Sequence, residues 1–242
     1  MRPCYCILLL CFLLTAGVVP ANDNTQYQIT SQDDSLRGEV KKNVTLYLND
    51  FSAPDTDNLA YWEKLVKRQV SQALQALGYY DSKINLTIDN SSVETKITID
   101  IAMGYPIVIR QSNYQVVGSG ASFKPFVTQR NSYPLVVGSK LDHGSYQAAK
   151  TAMMDIARAY GFFDAKWLKH EVAVDLDTQT ANIELSFDTG SRYQFGSINI
   201  AQAHASNDII HAMAPFHTGD NFTSSAIANY NIALNQSRYF TS

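Results

Sequence analysis

The stretch "QALQALGYYDSKI" at residues 72–84 returns in modified form as "DIARAYGFFDAKW" at residues 155–167. Each copy runs an apolar-periodic helix pattern into a glycine, two aromatic residues, an aspartate, a small residue and a lysine. Glycine suits the left-handed position after a helix because it has no Cβ. We therefore expect each glycine to end a helix, each aromatic pair to plug the helix end against the sheet, and each aspartate to lie in a turn that leads into a strand. The residues of this repeated motif are Gly78, Tyr79, Tyr80, Asp81, Gly161, Phe162, Phe163 and Asp164.

The repeat extends beyond this motif in both directions. Residues 97–109 align with residues 183–195 as alternating strand patterns that pass through a glycine, and residues 137–149 align with residues 218–230 as helix starts. A weaker third echo of the motif follows at residues 235–241, "NQSRYFT". Self-similarity at such regular spacing indicates a chain built from copies of one structural unit.

The second copy can be read in full. It predicts a strand at residues 107–117, a short helix at 123–129, a longer helix at 142–160 capped by Asp142, and a strand hairpin at 166–189. The first copy gives the same order, with helices at 36–48 and 59–77 followed by a hairpin. The fold class predicted is α+β, in tandem β-α-α-β-β units whose three-stranded mixed sheet carries two helices on one face.

The third copy predicts a strand at residues 193–201 and helices near 208–214 and 223–236, with no closing hairpin in the sequence. One strand cannot cover two helices, so we expect this unit to be truncated here and residues 190–242 to be poorly folded. The domains predicted are a signal peptide (1–21), a first unit (22–103), a second unit (104–189) and an incomplete third unit (190–242).

The amino terminus has the three parts of a secretory signal peptide: a basic start, an apolar run too short to span a membrane, and an exit of small residues ending at Ala21. The three cysteines (Cys4, Cys6 and Cys11) all lie in this segment, so the exported chain has no disulfide. Five Asn-x-Ser/Thr sequons would suit a eukaryotic glycoprotein, but the lack of disulfides favours a bacterial periplasm.

Charge and motif content argue against several functions. The 19 basic residues fall to 18 without Arg2, against 22 acidic ones, and nothing favours nucleic-acid binding. His204, Asp208 and His211 have a spacing conceivable for zinc, but Ser206 looks like the helix cap and would place His204 outside the helix. No nucleophile elbow or phosphate-binding loop is present. We therefore expect no enzyme, and no catalytic, cofactor-binding or metal site.

Taken together, the tandem units, the motifs "LGYYDSKI" and "YGFFDAKW" and the helix starts "VGSKLD" and "TGDNF" resemble POTRA (polypeptide-transport-associated) domains. Three units after a signal peptide are most similar to the outer-membrane subunits of translocation and assembly modules. BamA-like insertases and two-partner secretion transporters resemble the chain less, because they carry other numbers of units. A non-catalytic periplasmic scaffold is a further alternative.

This resemblance implies a location at the periplasmic face of the bacterial outer membrane and a role in protein transport and autotransporter secretion. It implies a downstream membrane β-barrel that this sequence lacks, through which the protein would be held in the membrane. The partners implied are a TamB-like protein anchored in the inner membrane and unfolded outer-membrane or autotransporter clients.

A protein of this kind must act by binding, and the second unit offers a surface for it. We expect the strand at residues 169–177 to lie at the edge of its sheet, with the strand at 181–188 between it and the first strand of the unit. Exposed edges are templates for strand addition. The predicted partner-binding residues are Lys169, Glu171, Val172, Val174 and Asp175, with the strand at residues 83–89 of the first unit as the next candidate.

Overall fold

The computed structural model describes residues 25–30, 38–49, 58–89, 95–200 and 207–237. The signal peptide, His204, Ser206 and residues 238–241 of the last echo of the motif lie outside these residues. The first unit contains, in order, β1 (Thr25–Thr30), α1 (Gly38–Leu48), α2 (Leu59–Ala76), β2 (Lys83–Asp89) and β3 (Thr95–Ala102). Its sheet has the order β1-β3-β2, with β1 parallel and β2 antiparallel to β3.

The core of the first unit follows directly from the two hydrophobic periods of its sequence. Helix α1 buries residues four apart, namely Val40, Val44 and Leu48, so that one stripe of the helix faces inward. The central strand β3 buries alternate residues, Ile97, Ile99 and Ile101, which are 0% exposed. The helical stripe and the inward face of the sheet therefore meet as two layers around one core.

The second unit repeats this arrangement with β4 (Val108–Val117), α3 (Lys124–Asn131), α4 (His143–Ala159), β5 (Lys166–Asp175) and β6 (Thr180–Asp188). The sheet order is β4-β6-β5, parallel on one side of β6 and antiparallel on the other. The predicted cap is confirmed, because the Asp142 carboxylate accepts a hydrogen bond from the Ser145 N–H at 2.5 Å.

The core of the second unit lies between β6 and the two helices. Strand β6 buries every second residue, including Ile183, Leu185 and Phe187. Phe126 of α3 and Met153 of α4 complete this layer and are fully buried. Both units thus have the predicted β-α-α-β-β order, a three-stranded mixed sheet and an α+β fold, which confirms the predicted fold class.

The region after the second unit contains α5 (Asn207–Ala212) and α6 (Ser224–Gln236). The hydroxyl of Thr223 caps α6 by accepting the Ala226 N–H at 3.3 Å, as the alignment predicts. The strand predicted at residues 193–201 is wrong over residues 193–200, where a single bridge pairs Gln194 with Asn221. The reason is that no other strand lies beside this segment in the described residues, so its alternating pattern has no ladder to join.

Candidate functional site

The glycine of the first motif lies where α2 meets the second unit. Gly78 has a φ of +88°, and its N–H closes the helix end on the Gln75 carbonyl at 2.9 Å. Its own carbonyl accepts a hydrogen bond from the Ile107 N–H, at the start of the second unit, at 2.8 Å. A Cβ at position 78 would run into the carbonyl oxygen of Leu141. We call this contact of Gly78 with Ile107 and Leu141 the first joint.

The glycine of the second motif makes the same contact one unit later. Gly161 has a φ of +80°, and its carbonyl accepts a hydrogen bond from the Tyr193 N–H at 2.7 Å. A Cβ at position 161 would lie 2.7 Å from the Cβ of Phe222. We call this contact of Gly161 with Tyr193 and Phe222 the second joint. The motif predicted to end a helix therefore also connects each unit to the next.

Both joints are built on the same frame of backbone hydrogen bonds. Each frame joins the glycine, the segment entering the next unit and the segment before that unit's second helix. At the first joint the N–H of Ile107 donates to Gly78 O, that of Leu141 to Ile107 O, that of Ile109 to Ser139 O and that of Gly138 to Ile109 O, all at 2.8–2.9 Å. At the second joint the N–H of Tyr193 donates to Gly161 O, that of Phe222 to Tyr193 O, that of Phe195 to Asp220 O and that of Gly219 to Phe195 O, at 2.7–3.0 Å. Main-chain groups, which do not depend on side-chain identity, therefore fix both connections.

The first aromatic residue of each motif packs inside its own unit, as predicted. Tyr79 lies against the core of the first unit. Phe162 is 3% exposed, with its ring centroid 5.1 Å from that of Phe126 and 5.6 Å from that of Phe123. These rings close the helix end over the sheet.

The second aromatic residue of each motif reaches the following unit, so the prediction is wrong for Tyr80 and Phe163. The Tyr80 hydroxyl lies 2.6 Å from Nε2 of His143, the first residue of α4. The ring of Phe163 lies 5.5 Å from that of Tyr193 and 4.9 Å from that of Phe222. The physical reason is that successive side chains of an extended segment point to opposite sides, so only one of the pair can face the unit's own sheet.

The motif aspartates differ between the joints. At the second joint the nearby Asp164 carboxylate raises the pKa of Tyr193. The aligned position at the first joint is Ile107, which has no polar side-chain atom. Within the described ranges the Asp81 carboxylate makes no ion pair or side-chain hydrogen bond, and its side chain is exposed.

The predicted partner-binding residues all lie on β5, which is an edge strand, as predicted. Val172 and Val174 are half-buried over the core of the second unit. Lys169 lies on the opposite, open face, with its Nζ 2.8 Å from Glu184 and 3.5 Å from Glu171. The hydrogen bond to Glu184 is the main cause of a raised pKa at Lys169.

Asp175 ends β5 rather than lining its free side. Its Oδ1 accepts the N–H groups of Thr178 at 3.1 Å and Asp177 at 3.0 Å. These bonds, that of Thr178 first, lower the pKa of Asp175. Asp175 therefore stabilises the β5–β6 turn, a role that the prediction did not include.

The direction of the free backbone groups of β5 follows from the hydrogen bonds of β6. Gln179 O and Thr189 N–H both bond to β4, and backbone groups alternate sides along a strand, so odd-numbered residues of β6 face β4. Even-numbered residues therefore face β5, where Asn182 pairs with Ala173. The N–H and C=O groups of Val172 and Val174 then point away from the sheet.

Two further observations concern metal ligands and membrane-spanning helices. In the described residues, no group of three histidine, cysteine, aspartate or glutamate side chains is arranged to hold a metal ion. None of the helices in the described segments is long and apolar enough to cross a membrane.

One family model matches the first unit. Residues 27–102 match the family model for the POTRA domain, TamA domain 1. The first unit is therefore similar to a TamA-like POTRA domain, as its sequence resemblance predicts, and the second unit repeats its order of elements.

Several solved structures are similar to the chain at low identity. POTRA domains 3–5 of Haemophilus influenzae BamA are 13% identical, with a TM-score of 0.44, over 93% of this chain and 91% of that one. POTRA domains 1–3 of Anabaena Omp85 are 11% identical, with a TM-score of 0.34, over 90% and 86%. Escherichia coli CdiB is 16% identical, with a TM-score of 0.27, over 71% of this chain and 28% of that one.

Proposed function

We propose that this chain is the periplasmic docking region of an outer-membrane protein assembly and secretion factor, and that it binds strands of client or partner proteins along β5. The observation that carries the proposal is the outward direction of the backbone N–H and C=O groups of Val172 and Val174 on an edge strand. Unpaired groups of this kind form main-chain hydrogen bonds with an added strand.

Main-chain pairing suits clients of many sequences. Outer-membrane proteins consist of short segments that alternate apolar and polar residues, and such a segment matches an edge with a half-buried face and an open polar face. Val172 and Val174 lie on the first face, and Lys169 and Glu171 on the second. In the described part of the chain, no strand pairs with the outer side of β5.

The partners we propose are unfolded outer-membrane or autotransporter clients and an inner-membrane-anchored protein of the TamB kind. We propose unit boundaries at residues 22–103, 104–189 and 190–242, with export directed by residues 1–21. The region would act by binding rather than by covalent chemistry, because the two hydroxyls of Tyr79 and Tyr80 have no counterpart in Phe162 and Phe163. A BamA-like insertase or a two-partner secretion transporter would use the same edge.

The test is to remove one outward N–H and leave the rest of β5 unchanged. Val174→Pro deletes a donor that faces away from β6, and Val174→Thr keeps both the donor and the β-branched shape. Binding of a fluorescent peptide of alternating valine and threonine, about ten residues long like an outer-membrane strand, is measured by anisotropy. We expect Val174→Pro to weaken binding at least about tenfold, the equivalent of one to two hydrogen bonds, and Val174→Thr to leave it unchanged.

Circular dichroism melting establishes that the proline variant is folded. A second measurement uses a peptide N-methylated at alternate residues, which removes the same bonds from the ligand's side. Unchanged binding by a folded Val174→Pro protein and by the N-methylated peptide would contradict augmentation at β5. The strand β2 of the first unit, also at a sheet edge, would then be the next candidate.

A further inference from the structure

A cleft of about 270 Å³ lies where the first motif meets the β5–β6 turn. It is lined by Tyr80, Asp81, Tyr105, Ile107, Leu176 and Gln179. Leu176 follows the last residue of β5 and is 60% exposed. The cleft therefore stands at the end of the edge along which a client strand would lie.

The acidic residue of this cleft, Asp81, and its counterpart at the second joint, Asp164, have different surroundings. At the second joint the motif carboxylate, Asp164, interacts with the side chain of Tyr193, whose pKa it raises. At the first joint the aligned residue is Ile107, and the Asp81 carboxylate is left exposed to the cleft. The same backbone frame thus places a tyrosine near the acid at the second joint and leaves the acid of the first joint exposed to the cleft.

Two tyrosine rings stand beside this carboxylate. Tyr105 is 75% exposed, an uncommon position for a large aromatic side chain. Tyr80 is held in place by the bond between its hydroxyl and His143 Nε2 at 2.6 Å. Aromatic ring faces attract cations, and a carboxylate beside them adds a charge-assisted hydrogen bond.

We propose that the cleft of Tyr80, Asp81 and Tyr105 binds the cationic side chain, arginine or lysine, of the extended protein segment that pairs with β5. This proposal rests on the proposed function for the placement of that segment. The carboxylate selects a positive charge over a purely apolar side chain, because an apolar group would bury the acid without a partner. The cleft therefore gives a sequence preference to an edge whose main-chain bonds have none.

The experiment uses the full chain and pairs of fluorescent peptides. Each peptide alternates valine and threonine and carries one arginine near its amino or its carboxyl end, so that both strand directions are sampled. The matched peptides replace arginine by citrulline, which has the same shape without the charge. The variants are Asp81→Asn and Tyr105→Leu, with Tyr61→Leu as a control at another exposed tyrosine, 64% accessible on α2.

We expect Asp81→Asn and Tyr105→Leu each to weaken binding of one arginine peptide about fivefold, the size of one exposed cation–π or ion-pair contact. The citrulline peptides and the Tyr61→Leu protein should show no such change. Equal binding of arginine and citrulline peptides to the unaltered protein, or no effect of Asp81→Asn, would overturn the cation site.

The Val174→Pro variant separates this proposal from the proposed function. If that variant loses both peptides while Asp81→Asn changes neither, pairing at β5 stands and the cation site is wrong. If Asp81→Asn weakens the arginine peptide while Val174→Pro changes nothing, the cleft binds cations and pairing at β5 is wrong. Failure of every peptide to bind would overturn both.

Discussion

The two joints share a backbone frame and differ in almost every side chain that covers it. The first joint is polar, with Lys140 Nζ 5.2 Å from the centre of the Tyr79 ring and the Tyr80 hydroxyl bonded to His143. The second joint is aromatic, with Phe163, Tyr193 and Phe222 in contact. Because main-chain hydrogen bonds and a left-handed glycine set the geometry, the side chains are free to serve other purposes.

The aromatic joint also holds a cation, an arginine that packs on several rings, whereas Lys140 at the polar joint packs on Tyr79. The Arg192 guanidinium lies 4.8 Å from the centre of the Phe123 ring, and its Nε donates to the Tyr160 carbonyl at 3.0 Å. Arg192 thereby satisfies a carbonyl at the end of α4 and covers the aromatic cluster behind Gly161. Each joint therefore holds a cation against its own aromatic ring, and the exposed carboxylate of Asp81 is found at the first joint.

The largest expected effect comes from Gly78→Val. This variant tests whether the close approach of the next unit requires glycine at the first joint. A side chain at positive φ costs roughly 1–2 kcal/mol, and contact with the Leu141 carbonyl adds to this, so we expect a loss of unfolding free energy of about 3 kcal/mol or more. Gly161→Val should cost somewhat less, because its neighbour is the Phe222 side chain rather than backbone. Denaturant unfolding followed by fluorescence reads each unit separately in proteins that keep only Trp62 or only Trp167, with the other tryptophan replaced by phenylalanine.

Two other glycines provide the control for strain without contact. Gly138 and Gly219 have φ values of +85° and +91°, and a Cβ at either would meet nothing within 4 Å. Their valine variants should lose only the roughly 1–2 kcal/mol of the left-handed conformation. Equal losses at Gly78 and Gly138 would show that the approach of the next unit is not what requires glycine.

A smaller effect is expected from Phe222→Ala, which removes the aromatic cover of the second joint and keeps its backbone bonds. Phe222 is half-buried, with ring centroids 4.9 Å from Phe163 and 5.1 Å from Phe195. We expect a loss of about 1–2 kcal/mol, part of that for a fully buried phenylalanine. Hydrogen exchange at the Tyr193 and Phe195 amides should accelerate. Phe222→Leu is the control, and unchanged exchange in the alanine variant would contradict the joint.

The smallest effect is a pH dependence confined to the first joint. Burial lowers the pKa of His143, and the nearby Asp142 carboxylate offsets part of that change. The unfolded chain therefore takes up its proton at higher pH than the folded protein does. The free energy of unfolding should fall as pH drops from above the ordinary histidine value of about 6.5 through the lower folded value.

The His143→Gln variant separates the contribution of His143 to this pH dependence from the contributions of the other titrating groups. The variant should have a shallower dependence of unfolding free energy on pH, read from Trp62 and Trp167, over the same range. Identical slopes in the two proteins would show that His143 does not couple pH to the joint. The second joint provides a reference, because Ser224 stands where the first has His143.

The fold was predictable because its signals are local. The four-residue spacing of Val40, Val44 and Leu48 and the alternation along β6 each report which face is buried. The position of β5 at the sheet edge followed from the unit order. The third unit's strand was mispredicted because alternation shows only that a segment suits a strand, and says nothing about whether a partner lies beside it.

The joints were not predicted, because they depend on contacts between units that are distant in sequence. Gly78 gives the same helix-stop signal whether it faces solvent or the Leu141 carbonyl. A signal was present in the repeat itself: the motif glycine and the segment before the next helix recur together. The different surroundings of Asp81 and Asp164 became visible only in the structure, which places Ile107 near Asp81 and Tyr193 near Asp164.

Because both joints use the same backbone frame, one repeat period can be removed or added between them. Residues 79–161 begin after one joint glycine and end with the other, so they form one complete repeat period. Excision of that period would leave Gly78 followed by Phe162, with the end of α2 presented to the frame around Tyr193 and Phe222. Duplication of the period would add a unit by the same connection. Gene rearrangements that delete or duplicate this period would thus change the number of units without requiring a new joint, because main-chain hydrogen bonds make the connection.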